Sequence, residues 1–258
     1  MNRKLIVIAR TCGTVFSQNG TRYVDKTKPE IINVCLSSLV NSINQVVGHA
    51  VELVVLDDHS DSNCVHDIKA ILKNCKVANK FVSIEGGTGN AYSMSKVFEY
   101  VESSATDLWY HVEDDYLHKP EAIQDMIDSV NQFEDNTGQM IAINPHDDIW
   151  RYVHQIYESI ILLGPTRHYR TVKHTTYTCL ASREIYNKYQ THFTDIVALT
   201  ARRADWVEDK SINLVWSKPD VMLFSPIPGL AFHIMDESGK DPYLDFNALW
   251  DSVPRLWL

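Results

Sequence analysis

The chain has 258 residues, of which 45% are apolar, and a formal net charge of −9. A chain of that length buries a sizeable core without staples, as one α/β domain over residues 1–258, and its acidity disfavours nucleic acid or anionic lipid as a partner. Five cysteines (Cys12, Cys35, Cys64, Cys75, Cys179) form no CxxC pair and are odd in number, which argues against a zinc knuckle or a complete disulfide framework and for a reducing, cytoplasmic setting. The apolar run at 5–9 is too short for a signal sequence, and nothing later approaches the roughly 18 apolar residues of a transmembrane segment.

Residues 4–9 (KLIVIA) read as a buried strand, continuously apolar as parallel-sheet strands are, with Arg10 and Thr11 at its carboxyl end. A polar loop with Gly13 and Gly20 leads to Pro29, suited to the first turn of a helix whose apolar face is Ile32, Cys35, Leu36, Leu39, Val40, Ile43 and Val47, with Gly48 as its stop. A second buried strand, 51–56, ends in Asp57 and Asp58. Ser62 or Asn63 then caps a helix carrying Val65, Ile68, Ile71, Leu72 and Cys75 at helical spacing. The third strand, 80–84, runs into GGTGN, where Gly86, Gly87 and Gly89 let the backbone approach a ligand closely. That loop lacks the P-loop lysine and GxGxxG spacing, so ATPase and dinucleotide fingerprints are missing, and turn chemistry alone would account for it. A helix with Ala91, Met94, Phe98 and Val101 on one face follows.

The fourth unit holds the most chemistry. In 107–120, DLWYHVEDDYLHKP, a β-prone run stops at Glu113, Asp114 and Asp115 and gives way to a helix start near Pro120, with Ile123, Met126, Ile127, Val130 and Phe133 forming its apolar face. Two carboxylates about 4 Å apart repel by roughly 4 kcal/mol at an effective dielectric of about 20, so the cluster calls for a cation or a proton. Mg²⁺ supplies that charge through one or two carboxylates, water and substrate phosphates, which makes a metal-bound phosphate ester the expected ligand. Alone, the cluster would read equally as a solvated acidic turn. Four strand–helix units in alternation, however, argue for a mostly parallel sheet with helices on both faces. Ligands bind such sheets at the carboxyl ends of the strands, and Arg10, Asp58, Gly87 and Asp115 all fall on that rim.

Beyond Gly138 the alternation loosens. Residues 140–144 read as a further strand, after which His146, Asp147, Asp148 and Trp150 make a polar and aromatic turn. The stretch 164–174, GPTRHYRTVKH, is a basic loop suited to phosphate or acceptor, or simply to solvent. Residues 175–181 suit a strand, and Ser182 a cap for the helix reaching Phe193. Residues 204–216 (ADWVEDKSINLVW) begin as an acidic turn and become a helix, placing Glu208 and Asp209 near an amino terminus, where capping is a sufficient explanation for both. His233 ends an apolar run after two prolines, a setting more often structural than ligating.

Taken together, the segments VELVVLDDHSDSN, GGTGNAYSMSKVFEYV, YHVEDDYLHKPEAI and WVEDKSINLVW, in that order, resemble nucleotide-sugar glycosyltransferases of the GT-A fold, closest in pattern to family 2. The resemblance covers about residues 4–217. It implies a Rossmann-like, mostly parallel sheet with a nucleotide-sugar-binding half (1–135) and a smaller acceptor-side half (136–258). It also implies a metal-dependent, inverting transfer from a nucleoside-diphosphate sugar, UDP favoured, to a glycan or other hydroxyl acceptor. Under it, Asp58 serves the nucleobase with Arg10 and Thr11 near it, Asn90 the sugar or ribose region and Asp114 the ribose, with Asp57 and Gly87 as further substrate-binding residues. Asp115 and His233 hold Mn²⁺ or Mg²⁺, and Asp209 is the catalytic base with Glu208 beside it. The motif is EDD rather than DxDD, which leaves the direct ligand open among Glu113, Asp114 and Asp115. The resemblance ranks a surface glycan ahead of a protein or modified viral DNA as acceptor. A nucleotidyltransferase making sugar nucleotides is the rival enzyme, although ARTCG supplies only a fragment of its usual signature. A non-catalytic sugar- or nucleotide-binding module is the rival outside enzymes.

Overall fold

The computed structural model describes residues 2–14, 24–155, 157–175, 177–234 and 240–258, so Gly20 lies outside the described residues. The apolar runs become strands β1 (Lys4–Thr11), β2 (Ala50–Asp57), β3 (Ala78–Ser83) and β4 (Leu108–Val112), with helices α1 (Lys28–Ile43), α2 (Ser62–Leu72) and α3 (Asn90–Ser103) between them. A three-residue strand β5 (Tyr116–His118) precedes α4 (Ala122–Thr137) and β6 (Met140–Ile143). The remainder holds α5 (Trp150–Val153), β7 (Ile161–Leu163), β8 (His168–Val172), β9 (Cys179–Ser182), α6 (Arg183–Ala201), β10 (Val221–Ile227), β11 (Ala231–His233) and α7 (Phe246–Ser252).

Local chemistry explains the helix starts. Thr27 and Glu30 form a reciprocal capping box on α1, and Pro29 stands in its first turn. The α2 cap is Asp61 rather than Ser62 or Asn63: its carboxylate accepts the Asn63 and Cys64 N–H groups at 2.9 Å, one residue earlier than expected. Helix α1 ends at Ile43, before Gly48, and leaves Val47 exposed outside its apolar face. Gly138, left-handed at φ 65°, terminates α4.

One nine-stranded sheet runs β3-β2-β1-β4-β9-β6-β10-β8-β7, and a second, two-stranded sheet joins β11 to β5. The β3-β2-β1-β4 run is parallel, as is β6 with β10, while β9 is antiparallel to both β4 and β6. Helices α1, α2 and α4 cover one face through Leu36, Ile68, Ile127 and Phe133. Helices α3 and α6 cover the other through Met94, Phe98, Ile185 and Phe193. A third cluster packs α7 and α1 around Leu117 and Phe232 of the small sheet. The expected α/β sandwich, Rossmann-like in its parallel run, is therefore the observed architecture. The register aligns Thr11 with Asp57 and Ala9 with Val112, which brings Arg10, Asp58 and Glu113 to one rim.

The small sheet had no counterpart in the sequence reading. Its register sets His233 opposite Tyr116, immediately beside the acidic turn. The expected helix over 204–216 is a run of turns followed by a 3₁₀ helix, Ile212–Ser217. All five cysteines are free, and among the described residues no helix is long and apolar enough to cross a membrane.

Candidate active site

Arg10 organises the rim from the end of β1. Its Nε donates to His111 Nε2 (3.0 Å), Nη1 to Asn90 Oδ1 (2.6 Å) and Ser93 Oγ (3.0 Å), and Nη2 to Glu113 Oε1 (2.8 Å). The guanidinium thus ties β1, the start of α3 and the end of β4 together, and spends most of its donors internally. Because His111 Nε2 accepts, the ring proton sits on Nδ1 and faces the Tyr177 carbonyl at 3.1 Å. Burial, with Arg10 beside it, holds the His111 pKa well below 6.5. Burial and the neighbouring Asp115 and Asp114 push the Glu113 carboxyl up to about 7 against the pull of Arg10.

The acids ending β2 are also engaged. Asp57 is buried and accepts from the Thr11 hydroxyl (2.9 Å) and the Ser60 N–H (3.0 Å), closing the turn into α2. Asp58, likewise buried, takes the Gly89 N–H on Oδ2 and His59 Nδ1 on Oδ1, each at 2.8 Å. Its carboxylate therefore fastens the glycine loop to the rim. The close approach inferred at Gly87 is made by Tyr92: a Cβ on Gly87 would meet the Tyr92 ring at 2.8 Å. Tyr92 in turn donates its hydroxyl to the Glu85 carbonyl at 2.8 Å. Asn90 begins α3 with its side chain on Arg10.

The acidic turn lies between β4 and β5. Asp114 accepts the Cys12 N–H on Oδ2 (2.9 Å) and pairs through Oδ1 with the Lys28 ammonium. Asp115 is different. Its Oδ1 is buried, has no hydrogen-bond partner among the described residues, and lies 3.5 Å from His233 Nε2. The His233 ring stacks on Tyr116 (4.4 Å between centroids, 14° between planes), and the His233 backbone N–H donates to His146 Nδ1 at 3.4 Å. An orphaned carboxylate oxygen facing an imidazole nitrogen at the strand rim fits a hard or borderline divalent cation. Among the described residues no group of three or more His, Cys, Asp or Glu could hold a metal, so Asp115 and His233 would be a two-residue set, completed by water and substrate phosphates.

Glu208 and Asp209 lie in the turn before the 3₁₀ helix. Asp209, about half exposed, accepts from Asn213 Nδ2 (2.8 Å) and lies 3.3 Å from His174 Nδ1, both on its Oδ1. Glu208 lies beside the Tyr177 hydroxyl, whose pKa burial pushes up to about 12. Since the Tyr177 carbonyl is held by His111, this turn is moored to β4 two residues from Glu113. The basic stretch 164–174 is largely neutralised: Arg167 pairs with Glu121 (2.8 Å) and Asp125 (3.1 Å), and Arg170 pairs with Asp147. Lys28, His111 and Tyr177 escaped the sequence reading, and His146 entered it only as part of a polar and aromatic turn. Lys28 alone carried a signal, as a cation next to the helix-starting Pro29.

No family model and no curated protein matches the sequence. Among solved structures, S. aureus TarS 1-349 superposes with a TM-score of 0.53 at 14% identity, over 86% of this chain and 60% of that one. Longer S. aureus TarS gives 0.52 at 13%, over 86% and 36%. S. aureus TarS 1-349 in complex with UDP-GlcNAc gives 0.50 at 12%, over 86% and 58%. This chain thus spans less than two thirds of those chains. At such identities the likeness is one of fold, and it agrees with a GT-A, Rossmann-like α/β sheet.

Proposed function

We propose that the chain is a metal-dependent glycosyltransferase that moves a sugar from a nucleoside-diphosphate sugar, UDP-linked by preference, to a glycan hydroxyl with inversion. The observation that carries this reading is Asp115 Oδ1, buried without a hydrogen-bond partner and facing His233 Nε2 across 3.5 Å at the carboxyl rim. The fold shared with a protein crystallised with UDP-GlcNAc supports the donor class.

Asp115 and His233 would hold Mn²⁺ or Mg²⁺, Asp115 ionised and His233 neutral. When bound, such an ion supplies Lewis-acid neutralisation of the charge on a departing diphosphate. Arg10, clamped between β1, α3 and β4, keeps the acidic turn in place, and Asp58 holds the glycine loop through Gly89. Asp209, oriented by Asn213, takes the proton from the acceptor hydroxyl, a role typically worth about 10² to 10⁴ in rate.

Calorimetry with UDP, GDP and CDP, each with and without Mn²⁺, tests the reading. Tight binding of one nucleotide, strengthened by Mn²⁺, is expected; indifference to base and metal would refute it. Product analysis with a bound donor then separates transfer, which releases nucleoside diphosphate, from nucleotidyl transfer, which exchanges pyrophosphate.

A further inference from the structure

We propose that Lys28 is a built-in counter-cation of the acidic turn: its ammonium competes with a divalent ion for Asp114 and, once displaced, pairs with the donor diphosphate. The inference rests on the nucleotide-sugar reading for the identity of the anion, but not for the competition between ammonium and metal.

The three consecutive acids after β4 have three different partners. Glu113 Oε1 takes Arg10 Nη2 at 2.8 Å, Asp114 Oδ1 takes the Lys28 ammonium, and Asp115 Oδ1 is buried without a hydrogen bond, 3.5 Å from His233 Nε2. The other acids of this rim, Asp57 and Asp58, are held by hydroxyl and N–H groups and by His59, not by a lysine or arginine. A divalent ion at Asp115 therefore arrives one residue from an ammonium already seated on Asp114. The two cations repel, and the one on a flexible four-carbon stem is the one that moves.

The surroundings suit that exchange. Asp114 is also held through Oδ2, which accepts the Cys12 N–H at 2.9 Å, so the carboxylate keeps its place when Oδ1 loses Lys28. The freed oxygen is then a further acceptor for the ion beside Asp115. Helix stability does not account for a lysine here. Lys28 is the first residue of α1, where the positive end of the helix dipole disfavours a cation, and the cap is made by Thr27 and Glu30 without it. The Lys28 and Asp114 side chains are each only 11% exposed, so the displaced ammonium starts from inside the rim rather than from bulk water. A departing nucleoside diphosphate carries more negative charge than one divalent ion cancels, and a lysine is a suitable point charge for the remainder. The plain alternative is a structural ion pair that ties α1 to the turn. It predicts that losing the lysine costs stability and gains the metal nothing.

Calorimetry on the full chain with Mn²⁺ alone, and then with UDP, GDP or CDP at saturating Mn²⁺, separates the two. Lys28→Gln should bind Mn²⁺ at least threefold more tightly than the native chain. It should bind the nucleotide that the native chain prefers at least tenfold more weakly. Lys28→Arg, whose planar fork grips a carboxylate at two points, should instead weaken Mn²⁺ at least threefold, and it serves as the test if the glutamine variant fails to fold. Unchanged Mn²⁺ affinity in both variants overturns the competition, and nucleotide binding by the native chain then leaves the donor reading standing. Tighter Mn²⁺ with unchanged nucleotide affinity in Lys28→Gln overturns the diphosphate contact. A native chain that binds none of the three nucleotides, while Lys28→Gln still gains Mn²⁺ affinity, removes the donor reading and upholds the competition. Failure of native and glutamine chains alike to bind Mn²⁺ overturns both.

Discussion

Arg10 Nε donates to His111 Nε2 across 3.0 Å in the buried rim, an arrangement that exists only while the imidazole is neutral. His118, whose Nε2 meets the Tyr110 hydroxyl at 2.8 Å, is held neutral in the same way, burial pulling its pKa down to about 4. Unfolding returns both rings to about 6.5. Below that pH the unfolded chain takes up protons that the folded chain refuses, so these histidines lower stability as pH falls from about 6.5 and contribute nothing above it. His118 alone should remove about 3 kcal/mol by pH 4. Glu113, with its carboxyl pushed up to about 7, acts in the opposite direction, so the measurement is a difference. The melting temperature of His118→Gln should fall less between pH 6.5 and pH 4.5 than that of the native chain; parallel curves would show that His118 does not resist protonation.

Asp115→Asn and His233→Gln address the metal pair. Because Asp115 Oδ1 stabilises nothing by hydrogen bonding, Asp115→Asn should leave the melting temperature within a few degrees of native. Both variants should lose at least tenfold in UDP affinity with Mn²⁺ present, and little in its absence. Unchanged metal dependence in calorimetry would remove the pair as ligands.

Asp58 holds the Gly89 N–H and is proposed to meet the nucleobase, two tasks that variants separate. Asp58→Ala strips the Gly89 N–H of its partner and should cost about 1–3 kcal/mol of stability as well as nucleotide affinity without metal. Asp58→Asn keeps an acceptor for Gly89 but loses the charge. If the carboxylate is read by a nucleobase, affinity should drop in Asp58→Asn while the melting temperature holds; equal affinity in that variant reduces Asp58 to a loop anchor.

What the sequence disclosed depended on periodicity and reach. Strands β1 and β2 and helix α4 were legible because long apolar runs and a clean helical face bury as written. Strands β5 and β11 were not: three residues each carry no period, and their pairing is set by the distant contact of α7 and α1 with Leu117 and Phe232. That hidden ladder is what sets His233 beside Asp115, a neighbourhood no local reading of the sequence could supply. The stretch 164–174 misled in the other direction. Its arginines read as a basic loop, yet Arg167 and Arg170 meet acids from α4 and the turn after β6 that no local reading could supply.

Asp209 and Glu208 are separated by their partners. Asp209→Asn keeps size and much of the bonding to Asn213 but cannot accept a proton, so turnover should fall about 10² to 10⁴ fold with donor affinity nearly unchanged. Glu208→Gln removes only a charge beside Tyr177 and should lose far less. If both acids serve only the turn, the loss should appear as about 1 kcal/mol of stability with normal turnover per folded molecule. A collapse in Glu208→Gln alone would move the base one residue back.

Strand β9 lies between β4 and β6, antiparallel to each, although the chain visits it only after both are laid down. The boundary at 135 therefore cuts through a shared ladder. A fragment ending there should leave β4 with a bare hydrogen-bonding edge and Trp109 without its Phe193 partner at 5.6 Å, the condition under which sheets self-associate. Residues 1–135 made alone should aggregate, and co-expression with 136–258 should rescue soluble protein by strand complementation. The shared ladder thus makes residues 1–135 and 136–258 parts of one sheet rather than two separable domains.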